Sequence, residues 1–203
     1  PSSDDVNVLR LNPVIANAGI DQTICQDTVL LVGNDPNDEG ISKSWTQIAG
    51  TGSIFNTQSI QTQVAGLASG INRFVYSISE PGCPVSRDTV DVDRKIQPGR
   101  STTGADQTVC STATTITGNN PSVGTGKWTR ISGQGTILNP SSNSTQVTNL
   151  GIGANVFRWT VSNPPCADRF AEITIFRNTP ILAQAGTDQV ICTTFVQLNG
   201  VDP

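Results

Sequence analysis

One short motif recurs three times and sets a period for the whole chain. AlaGlyIleAspGlnThrIleCys closes on Cys25, GlyAlaAspGlnThrValCys on Cys110 and AlaGlyThrAspGlnValIleCys on Cys192, in steps of 85 and 82 residues. Between the motifs Trp45 answers to Trp128, Phe74 to Phe157, Tyr76 to Trp159 and Cys83 to Cys166, each 83 residues on. A period this long, with a full set of strand signals inside it, indicates tandem small domains. Such arrays serve as stalks, spacers or adhesive rods more often than as catalytic bodies.

The period divides the 203 residues into two complete repeats and two partial ones. Residues 1–12 read as the last strand of a preceding repeat, 13–97 as repeat one, 98–180 as repeat two and 181–203 as the start of a third. Each full repeat is near the size at which one core sustains itself. The linkers at 94–100 and 177–181 are short and contain proline, which limits swing between neighbours.

Inside a repeat the hydrophobic period is two. Phe74, Tyr76 and Ile78 point one way, and Arg73, Val75 and Ser77 the other. The copy keeps Phe157, Trp159 and Val161 inward. Val29 and Leu31 match Thr114 and Ile116, then Val196 and Leu198; Val90 and Val92 match Ile173 and Ile175. Turn clusters at 33–39, 66–70 and 80–84 separate the runs. With no amphipathic helix, the expectation is an all-β chain of antiparallel β-sandwiches placed end to end. Strands are expected at 14–25, 28–33, 43–48, 60–65, 72–79 and 87–93 of repeat one. Trp45 and Trp128 fall on the third main strand, where a Trp fills the middle of a sandwich core. Phe74, Tyr76, Phe157 and Trp159 complete the expected aromatic core.

Charged residues make up only 14% of the chain and the net charge is −4. No basic stripe exists to neutralise phosphates, so nucleic acid is excluded as a partner. No apolar run approaches membrane-spanning length. With no histidine and no CxxC, the usual zinc arrangements and a Ser-His-Asp triad are excluded. Lys43, Lys95 and Lys127 fall at strand edges or linkers, which argues against a buried Ser-Lys pair or a lysine isopeptide bond. Asp21, Asp106 and Asp188 recur without a repeated acidic partner and read as turn or backbone caps, not catalytic acids. No catalytic residue and no cofactor is expected.

The runs GlyIleAspGlnThrIle (19–24) and SerTrpThrGln (44–47), with the strand that ends in Gly33, resemble the PKD-like branch of immunoglobulin-like sandwiches. Residues 124–137 and 149–166 of repeat two resemble the repeats of very large cell-surface adhesins of Bacteroidetes, including those of gliding motility. The resemblance covers essentially the whole chain. It implies export by the type IX pathway and display on the outer surface. AspThrVal at 27–29 and 88–90 is similar to the short sequence at which such bacteria glycosylate exported proteins on threonine, making Thr28 and Thr89 candidates; a strand start with a β-branched run is the favoured reading of both.

Five recurring cysteines without a metal pattern read as disulfide formers in an oxidising, extracytoplasmic setting. One bridge per repeat would join Cys25 to Cys83 and Cys110 to Cys166. The expected strand order places those loops at opposite poles of a sandwich. A strand of six or seven residues spans roughly 20 Å, whereas a disulfide needs Cα atoms about 5.5–6 Å apart. Stacked repeats would instead bring Cys25 to Cys166, tying consecutive repeats together and limiting bending. The inter-repeat bond is favoured and the intra-repeat pairs remain the alternative.

Asp35, Asp38 and Glu39 concentrate carboxylates in one loop, where hard oxygens would suit calcium. The copy at 119–124 has no acid, and Asx-turn chemistry explains the loop without a metal. The functional expectation is a structural stalk segment of an exported adhesin, whose partners are neighbouring repeats of the same chain. The alternatives are repeats that themselves bind polysaccharide, and a spacer attached to a secreted hydrolase.

Overall fold

The computed structural model describes residues 2–6, 12, 14–36, 40–198 and 200. Among them there is no helix, and fourteen strands form four sheets. The chain divides into two compact units. The first takes in the chain through Gly99 with Ser122–Gly124 and Ser162–Asp168; the second takes Arg100–Pro121, Thr125–Val161 and the chain from Arg169 on.

In the first unit the strands are β1 (Gln22–Ile24), β2 (Thr28–Val32), β3 (Ser42–Ala49), β4 (Ser53–Ile54), β5 (Gln61–Ala65), β6 (Gly70–Ser79) and β7 (Ser86–Arg94). One sheet has the order β1-β7-β6-β3 and the other β2-β5-β4. Alternation along β6 sends Asn72, Phe74, Tyr76 and Ile78 into the core. They meet Val90 and Val92 of β7, Trp45 of β3, Val29 and Leu31 of β2 and Val64 of β5. The sandwich exists because period-two strands from both sheets present apolar side chains to one another.

The second unit repeats this plan. Its strands are β8 (Gln107–Val109), β9 (Thr114–Thr117), β10 (Thr125–Ser132), β11 (Thr136–Ile137), β12 (Ser144–Thr148), β13 (Gly153–Ser162) and β14 (Arg169–Arg177). The sheets are β10-β13-β14-β8 and β11-β12-β9. Trp128, Phe157, Trp159, Val161, Ile116, Val147, Ile173 and Ile175 form its buried core.

The structure departs from the sequence reading at several places. The sheets are not wholly antiparallel: β1 runs parallel to β7, and β8 parallel to β14. A parallel pair needs a long connection, which the whole sandwich between β1 and β7 supplies. Val75, expected outward, is only 9% exposed. It sits on the central strand β6 in register with Thr46 and Thr89 on either side, so its neighbours cover it. The two-residue strands β4 and β11 were not expected at all.

Of the segment 1–12 expected to close a preceding repeat, residues 1 and 7–11 lie outside the described residues, and 2–6 form no strand. Of the expected opening of a third repeat at 181–203, residues 199 and 201–203 lie outside the described residues and 181–198 contain no strand; Val196 and Leu198 are exposed where their counterparts Val29 and Leu31 are buried.

Candidate functional site

The recurring side chains fall into a buried frame, a pair of charged clusters and the cysteines. In the frame, the Tyr76 hydroxyl donates to the Asn34 carbonyl at 3.0 Å, and the Trp159 indole N–H donates to the Asn119 carbonyl at 3.1 Å. One ring edge thus serves the same loop in both units although the residue type differs. Under each ring lies a glycine: a Cβ on Gly33 would come within 2.5 Å of Tyr76, and one on Gly118 within 2.7 Å of Trp159. Burial, and then the nearby Asp35 charge, pushes the Tyr76 phenol above its ordinary pKa. Trp45 donates its indole N–H to the Ser59 carbonyl at 3.1 Å, whereas the buried Trp128 Nε1 has no hydrogen-bond partner. Trp45 stacks at a tilt on Tyr76, and Trp128 on Trp159, with centroids 4.6 and 5.2 Å apart.

Asn72 and Asn155 are functional parts of this frame that the sequence reading passed over. Asn72 Nδ2 donates to the carbonyls of Ala68, Gly70 and Val92, and its Oδ1 accepts the Thr51 N–H. Asn155 does the same with Gly151, Gly153, Ile175 and the Gln134 N–H. Each clamps the start of its own strand to the preceding loop and to the neighbouring strand. A buried amide satisfied on both sides specifies one arrangement of these loops. The available signal was an Asn on the inward phase of a strand at the same place in both repeats.

The motif aspartates act on the backbone. Asp21 Oδ1 accepts the Asp91 N–H at 2.9 Å, and Asp106 Oδ1 accepts the Thr174 N–H at 2.8 Å. Arg73 grips Asp91 with two bonds of 2.6 Å, which raises the pKa of the guanidinium and holds the Asp91 carboxyl below its usual range. Arg158 pairs with Glu172 and lies 4.2 Å over the ring of Phe170.

Of the proposed calcium loop, Asp38 and Glu39 lie outside the described residues. Asp35 is ion-paired to Lys43 at 2.7 Å. Among the described residues no group of three or more His, Cys, Asp or Glu side chains comes together. Thr28 opens β2, half-buried opposite Ala65; Thr89 is exposed on β7 opposite Val75.

Cys25 is bonded to Cys166, with Cα atoms 5.1 Å apart and a sequence separation of 141. Both fall in the first unit, because the loop Ser162–Asp168 clusters there. Two amides flank the bond: Gln97 Nε2 donates to the Ala167 carbonyl and Asn163 Nδ2 to the Ile96 carbonyl. The intra-repeat pairs Cys25–Cys83 and Cys110–Cys166 are not formed; Cys83, Cys110 and Cys192 carry free thiols. Burial, then the charge and hydrogen bond of Glu80, pushes the Cys83 thiol up.

Among known proteins, no family model matches this chain and no curated protein matches it. Solved structures do. Immunoglobulin domains 1–5 of Sidekick-1 are 12% identical over 81% of this chain and 38% of theirs, at TM-score 0.55. A chain in the mouse coronavirus receptor-binding domain complexed with its murine receptor is 13% identical over 78% of this chain and 96% of its own, at TM-score 0.54. These likenesses establish the fold: two immunoglobulin-like sandwiches in tandem. The PKD domain of the KIAA 1837 protein is 25% identical over 46% of this chain and 98% of its own, at TM-score 0.39.

Proposed function

We propose that this chain is a structural segment of an exported cell-surface adhesin, a run of PKD-like repeats that holds a binding region away from the cell. In this reading residues 13–97 and 98–180 are its two full repeats, residues 1–12 close a preceding one and residues 181–203 open another. The observation that carries it is the duplication of a whole buried frame. Gly33, Asn72 and Tyr76 recur as Gly118, Asn155 and Trp159, and the side-chain hydrogen bonds of the two sets match. A scaffold built twice in succession fits a spacer. The Cys25–Cys166 disulfide and the scarcity of charge fit an extracytoplasmic location. No helix among the described residues is long and apolar enough to cross a membrane.

The test is labelling of intact cells with antibody against this segment, together with binding assays on immobilised polysaccharides. The stalk reading expects surface labelling without permeabilisation and no saccharide binding by the 203-residue chain. Labelling only after permeabilisation would overturn it. Saccharide binding would favour the second reading, in which the repeats themselves adhere. That reading draws on Phe55, which is 88% exposed beside β4 and offers a ring for stacking on a sugar. Glycosylation at Thr28 or Thr89 would appear in the intact mass of the native protein.

A further inference from the structure

We infer that the Cys25–Cys166 bond is one rung of a periodic series, in which Cys110 bonds the loop cysteine of a repeat that follows and Cys83 bonds a motif cysteine of one that precedes; this rests on the repeat-array reading above. The cysteines are of two structural kinds. Cys25 and Cys110 end the Asp-Gln motif, directly after β1 and β8. Ile24 pairs with Arg94, and its carbonyl accepts the Lys95 N–H at 2.8 Å. Val109 pairs with Arg177, and its carbonyl accepts the Asn178 N–H at 2.9 Å. The backbone that delivers each cysteine is therefore fixed in the same way.

Cys83 and Cys166 are of the second kind, in the loops β6–β7 and β13–β14. The Cys83 N–H donates to the Glu80 carbonyl at 3.1 Å, and the Cys166 N–H to the Asn163 carbonyl at 3.0 Å. The observed bond joins one cysteine of each kind, a motif cysteine to a loop cysteine 141 residues downstream. Cys110 and Cys83 are the unbonded members of the same two kinds. Cys110 is exposed, whereas Cys25, its bonded counterpart, is half-buried.

A second observation points the same way. Glu80 stands at the position of Asn163, whose side chain donates to the Ile96 backbone beside the bond. The Glu80 Oε2 is buried and has no hydrogen-bond partner. An acceptor in that position fits an N–H donor from the linker of a preceding repeat, where Asn163 uses a carbonyl. A motif cysteine also recurs at Cys192.

Bond formation needs an oxidant, and a disulfide donor supplies it. The Cys110 thiolate attacks one donor sulfur and forms a mixed disulfide; the first donor thiolate leaves. The loop thiolate then displaces the second donor thiolate. The donor departs as two thiols, carrying the two electrons and, once protonated, the two protons of the protein thiols.

The experiment inserts a second copy of residues 98–180 between Pro180 and Ile181 of the full chain. The protein is oxidised with glutathione disulfide, free thiols are alkylated, and peptides are mapped without reduction. The expected map has Cys25–Cys166 and a bond from Cys110 to the inserted counterpart of Cys166, with Cys83, the inserted counterpart of Cys110 and Cys192 alkylated. Cys110→Ser in the extended chain should release that loop thiol for alkylation and leave Cys25–Cys166 intact. The inference is overturned if Cys110 is alkylated while Cys25–Cys166 forms, if Cys110 bonds elsewhere, or if Cys25–Cys166 itself does not form. The stalk reading fails separately, by saccharide binding or by absence from the cell surface, whichever map is found.

Discussion

Gly126 lies against the six-membered ring of Trp159, so near that a Cβ at 126 would overlap it. The corresponding pair in repeat one is Lys43 and Tyr76. The larger ring of repeat two thus goes with the smallest residue beside it. Gly126→Lys alone should cost about 1–3 kcal/mol of stability, because a packed core resists added volume. Combined with Trp159→Tyr the loss should be smaller than the sum of the single losses, by about 1 kcal/mol or more. Urea unfolding of the two single variants and the double variant measures the coupling; strict additivity would mean that the ring contact has no energetic role.

Asn72→Leu and Asn155→Leu keep the branched skeleton and remove the amide. Three carbonyls would lose this donor and one N–H this acceptor in each unit. Stranded buried polar groups cost about 1–3 kcal/mol each, though relaxation and water recover part. A loss of about 3 kcal/mol for each variant is the expected outcome in denaturant titration. The amides of Thr51 and Gln134 should then exchange hydrogen faster in the respective variants.

Tyr76 is the single tyrosine of the chain, so its titration is readable by absorbance. Its phenol is harder to ionise in the fold than in the open chain, first because it is buried and then because of Asp35. The proton is held more tightly by the folded state. Stability from this group is therefore complete below the ordinary phenol range, near pH 10, and is lost as pH rises through the folded value. Tyrosinate absorbance should appear later than in a denatured control. Repeat two, with Trp159 in this place, should lack the same alkaline loss.

Cys166→Ser opens a covalent loop of 141 residues. Cross-linking distant positions restricts the unfolded chain, and removal of such a bond costs about 2–4 kcal/mol. Thermal unfolding of the oxidised protein, the reduced protein and the Ser variant should place the last two together and below the first. If reduction leaves the melting temperature unchanged, the bond contributes nothing to the fold. Among the free thiols, alkylation should reach exposed Cys110 before half-buried Cys83, followed by mass spectrometry.

The main strands and the aromatic core were legible because period-two alternation is a local signal. Phe74, Tyr76 and Ile78 show their common face in the sequence itself, and the duplicate at Phe157, Trp159 and Val161 repeats it. β4 and β11 were not legible because two residues cannot display a period. Val75 misled because burial on the outer face of a central strand depends on its neighbours. The parallel pairing of β1 with β7 is a property of topology, which no local pattern encodes. Asn72 and Asn155 were overlooked because a polar residue on an inward phase reads as an interruption, when each amide bonds three carbonyls and one N–H.

The sulfur–sulfur link between Cys25 and Cys166 also decides how the chain yields when its two ends are pulled. Force entering near Cys25 crosses to Cys166 without passing through the intervening chain, so β2 through β13 lie outside the loaded path. Roughly 500 Å of contour length is hidden this way, at about 3.5 Å per residue. It is released only when a reductant cuts the link, which makes the chain's extensibility a function of redox state.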